Sequence, residues 1–137
     1  MIYLLDTNIL IYLIKNRPPQ VAERIDQLKG DDSLAMSFIT WAELLRGAEG
    51  SQRREATLQQ LDALARQLPV LYPDGPEICR HYAMQASALK RQATPIGGND
   101  LWIAAHALAL GATLVSHNVR EFARIEGLAR VDWTAPA

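Results

Sequence analysis

Apolar residues along this chain fall in short unbroken runs, separated by longer stretches whose apolar positions recur at helical spacing. Ile2-Tyr3-Leu4-Leu5 is too short for a buried helix and apolar on both sides, as a strand covered on both faces would be. Ser33–Phe38 and Thr113–Val115 read the same way, with Val70–Tyr72 as a shorter strand and Val131–Trp133 as a last one at an edge. Between them the periodicity predicts helices over Asn8–Lys15, from Pro18-Pro19 to Lys29, over Trp41–Ala48 and over Arg53–Leu68. In the last of these Leu58, Leu61, Ala65 and Leu68 share one stripe. Pro76–Gln92 is a further helix with Ile78, Tyr82, Ala86 and Leu89 on one side, and Pro95-Ile96-Gly97-Gly98-Asn99 is a loop. Asp100–Leu110 is a helix ended by Gly111, and a short helical turn follows Asn118. Strand and helix alternate throughout, which predicts a parallel sheet with helices on both faces.

Composition narrows the picture. A chain of 137 residues, 49% apolar and 21% charged, fits one globular domain, 1–137, with a sizeable core. A net charge of -1 excludes a strongly basic nucleic-acid binder, although it leaves local basic patches open. Cys79 is the only cysteine, so there is no internal disulfide and no cysteine zinc cage. On an apolar helix face that thiol is expected to be packing, in a reducing compartment. The N-terminus lacks a basic leader and Asp6 interrupts its apolar run, and no apolar stretch is long enough for a bilayer, so a cytoplasmic location is expected.

The candidate chemistry lies where these elements begin and end. Leu5-Asp6-Thr7-Asn8 places an acid, a hydroxyl and an amide just past the carboxyl end of the first strand, where open α/β sheets bind ligands. Each of the three is also a good helix cap. Glu43 points away from the apolar stripe of Trp41, Leu44, Leu45 and Ala48, either into solvent or into a site. Asp100 opens a helix apolar nearly all round, with only Ala104 and Ala107 beneath it, and Asn99 could supply the cap in its place. Ser116-His117-Asn118 ends a buried strand as Asp6-Thr7-Asn8 does, and Glu121 follows within a helical turn. Clustered carboxylates repel each other unless a cation joins them, and hard oxygen donors suit Mg²⁺ or Mn²⁺. That set of donors points to metal-assisted hydrolysis of a phosphodiester.

Leu5-Asp6-Thr7-Asn8, Thr40-Trp41-Ala42-Glu43-Leu44 with Gly47, and Pro95–Asp100 followed by Ile103-Ala104 together resemble the PIN domain. The tail from Thr113 through Asn118, Arg120-Glu121-Phe122, Gly127-Leu128 and Asp132-Trp133 is similar to the VapC toxins of that family, so the likeness spans the chain in order. The resemblance implies a three-layer α/β/α sandwich around a mostly parallel central sheet. It also implies a Mg²⁺- or Mn²⁺-dependent endoribonuclease that cuts structured RNA, tRNA in several branches, as the toxin of a type II toxin–antitoxin pair. The implied partners are a VapB-like antitoxin and a second copy of the chain, in a homodimer. Asp6, Glu43 and Asp100 match the family's main acids. Asn118 stands where aspartate is frequent, leaving Glu121 or the neutral amide as the fourth ligand. Thr7, Asn8 and Ser116 match residues that orient the acids and water.

With hydrolysis assigned to an ion, no histidine pair is required. His106, between Trp102 and Leu110, is expected to be a hydrogen-bonded core residue, His81 a surface one, and His117 a surface residue able to touch RNA. Lys15, Arg17, Arg46, Arg53, Arg54, Lys90, Arg91, Arg120 and Arg124 could each meet RNA phosphate, Arg46 and Arg120 closest to the groove. Trp41 and Trp102 are expected to pack rather than stack on bases. Two other readings are a PIN nuclease in RNA processing outside toxin systems and a PIN protein that binds RNA with little activity. A haloacid-dehalogenase-type phosphatase needs an aspartate where this chain has Asn8, and is set aside. Crowded acids should also lower stability without metal, so Asp6→Asn should raise the melting temperature.

Overall fold

Burial on both faces drives the apolar runs to the middle of the molecule. A computed structural model describes residues 1–135, and in it Ile2–Leu5 (β1), Ser33–Ser37 (β2), Val70–Leu71 (β3), Thr113–Val115 (β4) and Arg130–Val131 (β5) form one sheet. The strand order is β3-β2-β1-β4-β5 and all four pairings are parallel. The helices are Thr7–Lys15 (α1), Pro19–Asp26 (α2), Phe38–Glu49 (α3), Arg54–Gln67 (α4), Glu77–Arg91 (α5), Gly98–Leu110 (α6) and Val119–Phe122 (α7). Successive strand residues serve opposite layers, as a two-residue period demands. Leu4 joins Ala104, Ala107, Leu114 and Phe122 in one core, while Leu5 joins Ile9, Leu10, Met36, Leu44 and Leu61 in the other. The three-layer α/β/α arrangement expected from the sequence is the one observed.

From β1 the chain builds the sheet outward through β2 and β3, then crosses back to place β4 on the other side of β1. The order therefore reverses between β1 and β4, and a crevice opens there at the carboxyl edge. Leu5 pairs with Val115 at that edge, and the Asp6 N–H donates to Val115 O at 3.0 Å. Asp6 and Ser116 thus leave the sheet side by side.

Several boundaries differ from the sequence reading, and each difference has a local cause. The stretch predicted as a strand to Phe38 ends at Ser37, because the Ser37 hydroxyl accepts from Ile39 N–H at 3.2 Å and opens α3 three residues before Trp41. The Gly97-Gly98 pair, read as loop, supplies the cap and first residue of α6, so Asp100 lies inside the first turn and Asn99 is no cap. The second helix stops at Asp26 rather than Lys29. The last strand is Arg130–Val131, and Trp133 is buried beyond it with its ring 5.2 Å from that of Tyr3. Ala104 and Ala107 face the core instead of leaving room beside Asp100. Cys79, expected to pack, is exposed. Trp41 packs on the core as expected, whereas Trp102, half-buried, also stacks on Tyr82 at 3.8 Å.

Candidate active site

Asp6 is buried, with 4% of its surface exposed, and both of its oxygens are engaged. Oδ1 accepts from Ile9 N–H at 3.1 Å and caps α1, so the capping role and the site role coexist in one side chain. Oδ2 accepts from the Ser116 hydroxyl at 2.5 Å. Burial raises the pKa of Asp6 above the usual carboxylate range, and nearby Glu43 adds to the rise; the Ser116 hydroxyl and the Ile9 and Asn8 N–H groups oppose it. The Asn8 side chain itself is exposed.

Glu43 reaches the same crevice from α3. Its Oε1 accepts from the Thr7 hydroxyl at 2.7 Å, and Thr7 Oγ1 lies 3.4 Å from Thr40 Oγ1. Thr40 was not singled out in the sequence, although it stands one helical turn before Glu43 and is fully buried. From α6, Asp100 accepts at Oδ2 from the Asn118 amide at 3.3 Å, and the same amide donates to Glu121 Oε2 at 3.1 Å. The Asn118 N–H in turn donates to Ser116 Oγ at 2.9 Å. Asp100 is pushed up to about 6, first by burial and then by the charges of Glu121, Asp6 and Glu43.

Asp6, Glu43, Asp100 and Glu121 therefore lie within electrostatic reach of one another, held by hydrogen bonds from Thr7, Ser116 and Asn118. Among the described residues the ion pairs join Met1 to Asp32 and Arg54 to Glu49, while His117 is hydrogen-bonded to Asp132, and none of these contacts involves the four acids. No three His, Cys, Asp or Glu side chains among the described residues are already drawn to the spacing of a metal cage. All-oxygen donors, two with raised pKa values and none ion-paired, nevertheless fit a hard divalent cation.

Beside the acids an open cleft of about 550 Å³ is lined by Thr7, Ala42, Glu43, Arg46, Gly47 and Asn99. Arg46 thus borders Glu43, as expected, while Arg120 is exposed on α7. His106 is buried and its Nδ1 shares a hydrogen bond with Ser37 Oγ at 2.8 Å, which makes it a core residue apart from the acids. Among the described residues, no helix is long and apolar enough to cross a membrane.

Known proteins share this sequence and fold. The PIN domain family model matches residues 3–128. Ribonuclease VapC1 of Haemophilus influenzae (strain R2866) is 56% identical over 98% of this chain and 99% of its own length. The tRNA(fMet)-specific endonuclease VapC of Shigella flexneri is 38% identical over 96% of this chain and 98% of its own. Among solved structures, VapBC-1 from nontypeable Haemophilus influenzae superposes with a TM-score of 0.93 at 56% identity, covering 98% of this chain and 100% of the matched one.

Proposed function

The chain belongs to the PIN-domain family, and from that premise we propose that it is a metal-dependent endoribonuclease, the toxin of a type II pair of the VapBC kind. The observation that carries this reading is the convergence of Asp6, Glu43, Asp100 and Glu121, free of any cationic partner among the described residues, at the switch point of the sheet. Relatives named as ribonucleases, one of them specific for tRNA(fMet), support RNA as the substrate and tRNA as its class. The solved VapBC-1 complex supports an antitoxin of the VapB kind as partner.

In this reading Asp6, Asp100 and Glu43 would hold Mg²⁺ or Mn²⁺, with Asn118 or Glu121 as the fourth donor. When bound, the ion neutralises phosphoryl charge and lowers the pKa of water. Ser116 and the α1 N-terminus hold Asp6 in place, and Thr7 aims Glu43. Arg46 and Arg120 attract the RNA backbone at short range, since a net charge of -1 gives no long-range pull. Residues 1–137 act as one PIN domain, in the cytoplasm, as a homodimer capped by the antitoxin.

Purified protein incubated with tRNA and either Mg²⁺ or Mn²⁺ should cleave it, leaving 5′-phosphate ends, and Asp100→Asn should lose at least about 100-fold in rate. Cleavage that survives Asp100→Asn would remove the mechanism. Expression alone should arrest growth and co-expression with the neighbouring gene should relieve it; a chain that cuts RNA without arresting growth is a processing nuclease instead.

A further inference from the structure

His117 stands between two residues that face the acids. Ser116 donates to Asp6 and the Asn118 amide to Asp100. Neighbouring Cα atoms are ~3.8 Å apart, so His117 lies on the rim of the crevice. Its own side chain turns outward, 58% exposed, with its ring edge-on to Tyr12 of α1 at 6.4 Å. Nδ1 lies 3.1 Å from Asp132 Oδ2 and 2.8 Å from Thr134 Oγ1.

These contacts settle which nitrogen carries the hydrogen. A threonine hydroxyl has a single hydrogen, and Thr134 donates it to Asp132 Oδ1 at 2.5 Å. The Asp132 oxygens hold none. Burial alone would raise that carboxyl, but hydrogen bonds from the Thr134 hydroxyl and N–H and from His117 bring it below its usual range. Both partners of Nδ1 are therefore acceptors, and Nδ1 carries the hydrogen. A neutral ring then has its lone pair at Nε2, which makes no hydrogen bond among the described residues and points away from the Asp132–Thr134 clamp.

We propose that His117 Nε2 accepts a hydrogen bond from an O–H or N–H donor of the RNA strand beside the cleaved bond, making His117 a substrate-reading residue. This rests on the ribonuclease reading above. A phosphate diester offers only acceptors, so it is the wrong partner for a lone pair. The RNA groups of the right class are the ribose 2′-hydroxyl, the exocyclic amines of the bases and the imino N–H of unpaired guanine or uracil. A rigid acceptor on the rim of an acidic crevice selects among strands by what they donate, which suits a protein whose net charge gives it little indiscriminate affinity.

The test uses a mapped RNA substrate carrying, one position at a time, a 2′-deoxy sugar, a base without its exocyclic amine, or a base whose imino nitrogen is methylated. At one position near the cut the native enzyme should lose about 3- to 10-fold in kcat/KM. His117→Ala should lose a similar factor on unmodified RNA and nothing further at that position. His117→Gln, whose amide oxygen is an acceptor of similar reach, should regain part of the loss. The sugar and base series identify which donor is read. Losses that multiply independently at every position overturn the proposal and leave His117 a structural tie to residues 132–134. A His117→Ala defect that vanishes as salt is raised marks a phosphate contact and overturns it as well, as does undiminished cleavage by that variant. Failure of the native enzyme to cut any RNA with Mg²⁺ or Mn²⁺ sinks the ribonuclease reading first.

Discussion

Ser116 and Asp6 show how one neutral side chain governs a buried acid. The hydroxyl stands 2.5 Å from Oδ2 and is the largest influence holding the Asp6 pKa down against burial. Ser116→Ala should therefore let that pKa climb, reduce the ionised fraction and weaken Mn²⁺ binding about 10-fold, measured by calorimetric titration. Unchanged affinity would mean that Asp6 does not reach the ion. Asp6→Asn is a less clean probe of charge crowding than the sequence suggested. Asparagine keeps the acceptor for Ile9 N–H, but its amide nitrogen meets Ser116, whose hydroxyl must then turn to accept, so relief of repulsion is offset. Asp100, half-buried and with no capping duty, is the better site for that test.

At the scale of elements, α6 delivers Asp100 and must end cleanly for β4 to start three residues later. Gly111 ends it in the left-handed region, φ 64°, with its N–H donating to Leu108 O at 3.2 Å. A Cβ there would meet nothing within 4 Å, so Gly111→Ala isolates the backbone cost, about 1 kcal/mol, readable as a lower urea midpoint at unchanged slope. The elements themselves were readable from periodicity, since strands such as Ile2–Leu5 and helices such as α5 bury the stripes their spacing defines. Boundaries were less so where glycine or serine decided them. Gly97-Gly98 carries no side-chain signal of whether it breaks a helix or starts one, and the Ser37 cap shows only once its hydroxyl meets Ile39. In the candidate site, strand-end position and resemblance brought out Asp6, Glu43, Asp100 and Asn118. Thr40, and the clamp of Asp132 and Thr134 on His117, were missed because they act through side chains brought together only by folding.

For the whole molecule, stability and site are coupled through protons. The folded chain holds a proton on Asp100 up to about pH 6, whereas an unperturbed aspartate loses its own near 3.8. Between those values the native state binds more protons than the unfolded one, so this contribution to stability is full below 3.8 and is lost as pH rises through about 6. Asp100→Asn removes the titration. The melting temperature of the variant minus that of the native protein, both without metal, should therefore widen from pH 4 to about pH 6.5 and then level off. For a chain of this size each kcal/mol corresponds to about 3 °C, so a gap of a few degrees is expected. A flat difference would mean that Asp100 is not crowded by Glu121, Asp6 and Glu43. At pH 7, Mn²⁺ at about 100 times its dissociation constant should add about 2.7 kcal/mol to the native protein by mass action. It should add far less to Asp100→Asn, because a cation relieves repulsion only where the full set of carboxylates is present. Equal gains in both proteins would put the ion elsewhere.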